Sequence, residues 1–219
     1  MKVTTDGCLF GAWVAEKVVS RESLVVSQIP VVGGSYVRSG KLSKVLDIGT
    51  GTGLLSLMLA QKNPGVLIDA IEIDNSAAVQ ANENVDASPW KGRITVSQQD
   101  ARELTSETGY DYIVSNPPFY EQELRSENNQ RNLAHHSDEL SLEELMKCMK
   151  TNLSAEGQFF LLLPFKRDIE IRTLLNTHGC SISEICFVRQ SVSHDFFRIM
   201  LAASFNSDAG NETAIDEIS

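Results

Sequence analysis

The chain has little of what holds metals, staples folds or coats nucleic acid. Its four cysteines, Cys8, Cys148, Cys180 and Cys186, are scattered through mostly apolar stretches with no zinc-type spacing, which points to a reduced protein without a disulfide frame. The four histidines include one adjacent pair, His135 and His136, but adjacent side chains point apart on either regular structure, so no metal site is expected. Lysine and arginine number 19 against 29 aspartates and glutamates, a formal charge of -10. That balance excludes nucleic-acid binding by bulk attraction and leaves room only for local contacts. No basic segment with an apolar stretch behind it opens the chain, and no apolar run approaches a membrane span, so the expectation is an untargeted, cytoplasmic monomer with no membrane partner.

What is present is a chain of 219 residues, 42% hydrophobic, enough for one sizeable α/β core. The expected division is a single domain over 1–205, with an irregular connection at 21–41, and an acidic tail at 206–219 that is expected to be disordered. Cys8, Leu9, Ala12, Trp13 and Val14 predict a short first helix with Thr5 or Asp6 as its cap. Pro30, Gly33, Gly34 and Gly40 then break any long element, leaving at most a short strand near Leu24–Val26.

Lys44–Ile48, Gly49-Thr50-Gly51-Thr52-Gly53 and Leu54–Ala60 read as strand, glycine-rich turn and apolar helix in immediate succession. Glycine suits a turn where the backbone must come close to a ligand that side chains would keep away. The next strand, Leu67–Asp74, ends in acid. Glu72 follows Gly49 by 23 residues, near the spacing at which a second-strand carboxylate accepts bonds from ribose hydroxyls, while Asp74 caps the helix from Ser76. A third strand, Arg93–Asp100, again ends in a carboxylate. A fourth, Tyr110–Val114, runs into Ser115-Asn116-Pro117-Pro118-Phe119. The prolines lack an N–H and fix φ, so the strand stops there, with Asn116 held extended before Pro117. Asp47, Glu72, Asp100 and Asn116 thus stand at strand ends in a βαβα rhythm, and in an open parallel sheet those ends share one rim, where ligands bind at the switch in strand order. Each could instead serve only as a helix cap.

Residues 120–139 form a polar stretch without periodicity, either a substrate loop carrying Arg125, Arg131, His135 and His136 or a merely solvated connection. Ser141 to Glu144 fits a capping box ahead of the amphipathic Leu142, Leu145, Met146 and Met149. Gln158–Leu163 predicts a fifth strand ended by Pro164, and a helix over Arg167–His178 stops at Gly179. Ile185–Arg189 and Phe197–Phe205, joined by a turn around Ser193-His194-Asp195, predict an antiparallel hairpin.

Asp47-Ile48-Gly49-Thr50-Gly51-Thr52-Gly53 resembles the first motif of class I S-adenosylmethionine-dependent methyltransferases, and Asn116-Pro117-Pro118-Phe119 resembles the (N/D)PP(Y/F) motif of those that methylate planar nitrogens. Met1 to Gly7, Gly11-Ala12-Trp13, Asn82-Glu83-Asn84 with Ser88-Pro89-Trp90, and the spacing to Asn116 are together similar to the bacterial tRNA1(Val) (adenine-37-N6)-methyltransferase family, over roughly residues 1–205. The resemblance implies a Rossmann-like α/β fold with a seven-stranded, mostly parallel sheet, a terminal antiparallel hairpin and helices on both faces. It implies a tRNA adenine-N6 methyltransferase with S-adenosylmethionine as cofactor and tRNA as partner. It also implies that Asp47, Gly49, Gly51 and Gly53 surround the methionine part, with Glu72 on the ribose and Asp100 beside the adenine. Lys2, Thr5 and Asp6 match an amino-terminal cofactor-side motif. Asn116 and Pro117 would receive the target amine, Asn116 also bordering the cofactor, with Phe119 stacked on the base. The same motif also serves enzymes that methylate glutamine side-chain amides of proteins, and a non-catalytic cofactor-binding module is the third reading.

Overall fold

The computed structural model describes residues 4–22, 42–117, 140–205 and 214–218. Helix α1 (Thr5–Glu22) precedes a run of parallel strands: β1 (Ser43–Ile48), β2 (Val66–Glu72), β3 (Ile94–Gln98), β4 (Tyr110–Ser115) and β5 (Leu153–Pro164). Between them lie α2 (Leu54–Lys62), α3 (Asn75–Asp86) and α4 (Leu142–Asn152); α5 (Asp168–Thr177) follows β5, and β6 (Ser181–Arg189), β7 (Phe196–Ser204) and β8 (Ala214–Ile218) complete the sheet. Its order is β3-β2-β1-β4-β5-β7-β6-β8, with β7 antiparallel to both neighbours. The chain winds outward from β1 to β3 and then returns to the other side of β1 as β4, so strand order switches between β1 and β4.

Alternation along the strands feeds two cores. Val45, Val114 and Phe160 join Phe10 and Val14 of α1, Leu59 of α2 and Val85 of α3 on one face. Leu46, Ile113 and Phe159 join Leu145, Met146 and Met149 of α4 and Ile171 and Leu175 of α5 on the other. The α/β architecture with helices on both faces and a terminal antiparallel pair agrees with expectation.

Three local readings change. The first helix is not short: Phe10, Val14 and Val18 continue one stripe at i, i+4 spacing, each at most 1% exposed, and carry it to Glu22. Residues 21 and 22 of the expected connection are thus helical, and the rest of it, with the strand expected near Leu24–Val26, lies outside the described residues. Thr4 caps this helix, since its side chain accepts from the Gly7 N–H at 3.3 Å and its carbonyl from the Cys8 N–H at 3.1 Å. The acidic tail is not wholly irregular, because Ala214–Ile218 pairs in parallel with β6 and makes eight strands among the described residues, where seven were expected. The other caps hold as read. Asp74 accepts from the Ala77 N–H at 2.8 Å, and Ser141 with Glu144 forms a complete capping box.

The carboxyl end of α2 is closed from a distance. Arg93 donates to the carbonyls of Ala60 and Asn63, which would otherwise be orphaned at a helix end, and reaches the Val66 carbonyl at the start of β2. Arg93→Leu is expected to lower the unfolding free energy by about 2 kcal/mol, because it strands buried carbonyls that had a charged donor; urea denaturation measures it. Among the described residues no helix is long and apolar enough to cross a membrane.

Candidate active site

The turn after β1 is built on glycine for a reason that the dihedrals make plain. Gly49, Gly51 and Gly53 have φ of 71°, 59° and 81°, a region that side chains make costly. A Cβ built on Gly49 meets no atom within 4 Å, so the turn leaves open space on that side. Asp47, fully buried at the end of β1, ties the turn together: one carboxylate oxygen accepts from the Thr50 hydroxyl at 2.6 Å and the Ser56 hydroxyl at 2.7 Å. Its other oxygen, Oδ1, is buried with no hydrogen-bond partner. Burial pushes the Asp47 carboxyl above the usual carboxylate range against the hydroxyl bonds that lower it, and the neighbouring Glu72 charge adds to the rise. The site is thus short of positive charge.

Glu72 ends β2 beside the same turn. Its carboxylate accepts from the Gly51 N–H at 2.9 Å and the Asp74 N–H at 3.0 Å, and it is 8% exposed. Two of a carboxylate's roughly four lone-pair positions are used, which leaves acceptor capacity for hydroxyl groups. Ile73, next in the chain, is 49% exposed, a large apolar side chain at the mouth. Asp100 lies beyond the end of β3 as the cap of a short 3-10 turn (Ala101–Glu103), held by two-pronged bonds from Arg102 at 2.7–3.0 Å. The Arg102 guanidinium keeps its carboxyl below the usual range.

Asn116 follows β4 directly across the switch in strand order. Ser115 locks the two strand ends together by donating to the Ile48 carbonyl at 2.9 Å, and Pro117 is buried behind Asn116. The start of α1 closes the other side: a Cβ on Gly7 would stand 3.7 Å from Asn116 Nδ2. The amide nitrogen therefore faces the start of α1. Asp6 does not cap α1 but reaches Arg198 on β7 at 2.7 Å, fastening the helix start to the sheet rim. Burial raises the Asp6 carboxyl, yet the bonds from Thr4 and Arg198, with the Arg198 charge, bring it below its ordinary value.

Asp47, Gly49, Gly51, Gly53, Glu72 and Asn116 are thus gathered on adjacent carboxyl ends, with Asp100 at the flank and Asp6 fastened across the mouth by Arg198. Thr5 is exposed at the helix start. Lys2, Phe119, Arg125, Arg131, His135 and His136 lie outside the described residues. Sequence reasoning missed the residues that set these groups in place. Thr50 and Ser56 could have been found as hydroxyls in and just after the glycine turn, whereas Arg198 stands 192 residues from Asp6 and gives no local signal.

Residues 35–177 match the methyltransferase small domain family. A tRNA1(Val) (adenine(37)-N6)-methyltransferase of Dyadobacter fermentans is 42% identical over 75% of this chain, a stretch that spans only 59% of that relative. One of Bacteroides fragilis is 36% identical over 100% of this chain and 84% of its own length. Among solved structures, a class I S-adenosylmethionine-dependent methyltransferase of Listeria monocytogenes covers 100% of this chain with 68% of its own, with a TM-score of 0.64 at 13% identity, a likeness of fold. On these matches the chain belongs to the methyltransferase small domain family, in the branch of the tRNA1(Val) (adenine(37)-N6)-methyltransferases.

Proposed function

We propose that this chain methylates the exocyclic N6 of an adenine in tRNA, with S-adenosylmethionine as methyl donor and adenine 37 of the tRNA1(Val) anticodon loop as the target. The observation that carries the reading is the meeting of Asn116 and the glycine turn on neighbouring strand ends, in a chain whose relatives bear that name. The described residues suit the donor. Its positive charge answers the buried, unpartnered Asp47 Oδ1, its ribose hydroxyls the remaining acceptor positions of Glu72, and its bulk the open side of Gly49. Ile73 offers an apolar surface for a base.

The donor supplies a methyl group made electrophilic by a sulfonium. The chain's task is the amine, a poor nucleophile because its lone pair is delocalised into the ring. The Asn116 amide oxygen and the Pro117 carbonyl would accept its two protons, orient the nitrogen and favour the pyramidal, positively charged transition state. No strong base is then required, and one proton leaves to water after transfer. Much of the acceleration comes from alignment.

Gly49→Ala separates the binding role from folding. The added methyl meets no protein atom, so stability falls by only about 1–2 kcal/mol of left-handed strain, while cofactor affinity by calorimetry falls more than about tenfold. To test the function, the protein is incubated with labelled S-adenosylmethionine and separate tRNA, rRNA, DNA and protein fractions. Label recovered as N6-methyladenosine from tRNA is expected; label in glutamine would replace the reading.

A further inference from the structure

The rim that carries the site changes in charge along its length. On the β1, β2 and β3 side stand Asp47, Glu72, Asp74 and Asp100. On the far side of β4 the rim also carries cations, Lys166, Arg167, Arg189 and Arg198, set among the carboxylates of Asp6, Asp168, Glu170, Asp195 and Glu217, in a chain whose net charge is -10. Pro164 pairs with Arg198, and Val188 with Arg198, so the end of β5, the end of β6 and the start of β7 lie together on the rim where Asn116 follows β4. The turn after β5 is Phe165-Lys166-Arg167. Arg189 ends β6, and the hairpin beyond it exposes Val192 to 76%.

These cations sit on an aromatic base. Phe165, Phe187 and Phe196 form a ring cluster with centroids 5.4–5.7 Å apart. The Arg189 guanidinium lies 5.2 Å from the Phe196 ring, and that of Arg198 lies 5.2 Å from the Phe197 ring. Arg198 is committed to the part-buried Asp6 at 2.7 Å and braces the aromatic base, but the carboxylate partners of Arg167 and Arg189 do not bar a phosphate. Arg167 meets Glu170 at 3.8 Å, and Arg189 meets Glu217 at 3.0 Å, with both glutamates more than half exposed. Such pairs contribute only about 0–1 kcal/mol, so exchanging carboxylate for phosphate costs little. From β4 to β6 is three strand spacings, about 15 Å, a span of a few nucleotides.

We infer that the Phe165–Arg167 turn and the tip of the β6–β7 hairpin form the surface on which the acceptor RNA lays its sugar-phosphate chain beside the base entering at Asn116. The inference rests on the RNA reading above and adds to it where the strand runs. Basic groups interleaved with aromatic rings are the pattern that tracks a single strand, by phosphate attraction and by stacking. The acidic half of the rim suits a cationic donor and repels phosphate, which fixes the polarity of the arrangement.

The test compares K166E/R167E with K44E/K91E, a reversal of equal charge placed at the amino ends of β1 and β3 on the opposite rim. Glutamates at 166 and 167 precede α5, where negative charge is favourable, so the fold is retained, as a thermal melt verifies. The probe is a fluorescent anticodon stem-loop RNA, titrated at several salt concentrations. K166E/R167E is expected to weaken binding by about tenfold or more and to reduce the salt slope by about 1.4, at about 0.7 for each lost single-strand phosphate contact. S-adenosylmethionine affinity stays unchanged, and K44E/K91E shifts RNA binding by less than about threefold. If wild type binds the RNA and the two double variants weaken it equally, or K166E/R167E not at all, the surface is wrong and the function stands. Wild type that binds no RNA overturns both. Methylation of a protein that K166E/R167E abolishes reassigns the surface to protein docking and overturns the inference.

Discussion

Asn116→Ala is expected to lower the turnover number by about 10²–10³-fold, the usual loss when one preorganised hydrogen-bonding group at a developing charge is removed. Cofactor affinity by calorimetry is expected to stay within about threefold, because most of the donor's predicted contacts are elsewhere, with Asp47, Glu72, Asp100 and the glycine turn. The geometry makes the variant a clean probe. Asn116 is only partly buried, and Ser115, with its bond to the Ile48 carbonyl at 2.9 Å, holds the strand end without it. Asn116→Asp is the sharper companion. It keeps an acceptor of the same shape but places a charge beside the start of α1 and the Asp6–Arg198 pair. Turnover that survives Asn116→Ala would remove the residue from the chemistry and leave Pro117 to a structural role.

Asp47→Asn should trade binding for stability. A fully buried carboxylate with an unpartnered oxygen is costly, and its pKa in the folded state is raised, chiefly by burial. The sign follows from linkage. The folded state holds the Asp47 proton more tightly than the unfolded state, so this group's contribution is fully present below the unfolded value and is lost as pH rises through the folded one. Asparagine has no such loss and still offers an oxygen to Thr50 and Ser56. Without cofactor, the variant's melting temperature is therefore expected to gain on wild type as pH rises from about 4, near the unfolded aspartate value, and then to hold level. Cofactor affinity is expected to fall about 10- to 100-fold with the loss of a charged partner for the cationic donor. A variant that binds the cofactor as wild type does would show that Asp47 serves the turn alone.

Much of this site could be read from the chain because its parts are local. The glycine turn declares its own dihedrals, Asp74 and Ser141 sit just ahead of the helices they cap, and Pro117 ends β4 by chemistry that needs no partner. What escaped was contact at a distance or pairing without burial. Arg198 fastens Asp6 from β7, and Arg93 closes α2 from the start of β3, with nothing local to mark either. The strand Ala214–Ile218 leaves no hydropathic trace, since four of its five residues are exposed and backbone pairing with β6 is what defines it. β5 starts at Leu153, well before its apolar run, because Gly157 lets the chain pass where a Cβ would lie 2.9 Å from the Tyr110 carbonyl. The polar Ser154–Gln158 stretch hides that strand from any reading by periodicity.

The central claim, that the cleft at Asn116 methylates adenine N6 at one position of tRNA, is tested most directly with two unmodified transcripts of tRNA1(Val), one bearing adenine at position 37 and one guanine. Each is incubated with labelled S-adenosylmethionine, digested to nucleosides and fragments, and read by mass spectrometry. The predicted result is N6-methyladenosine at position 37 of the first transcript and no label in the second. Equal labelling of both, or label at another base, would contradict the claim.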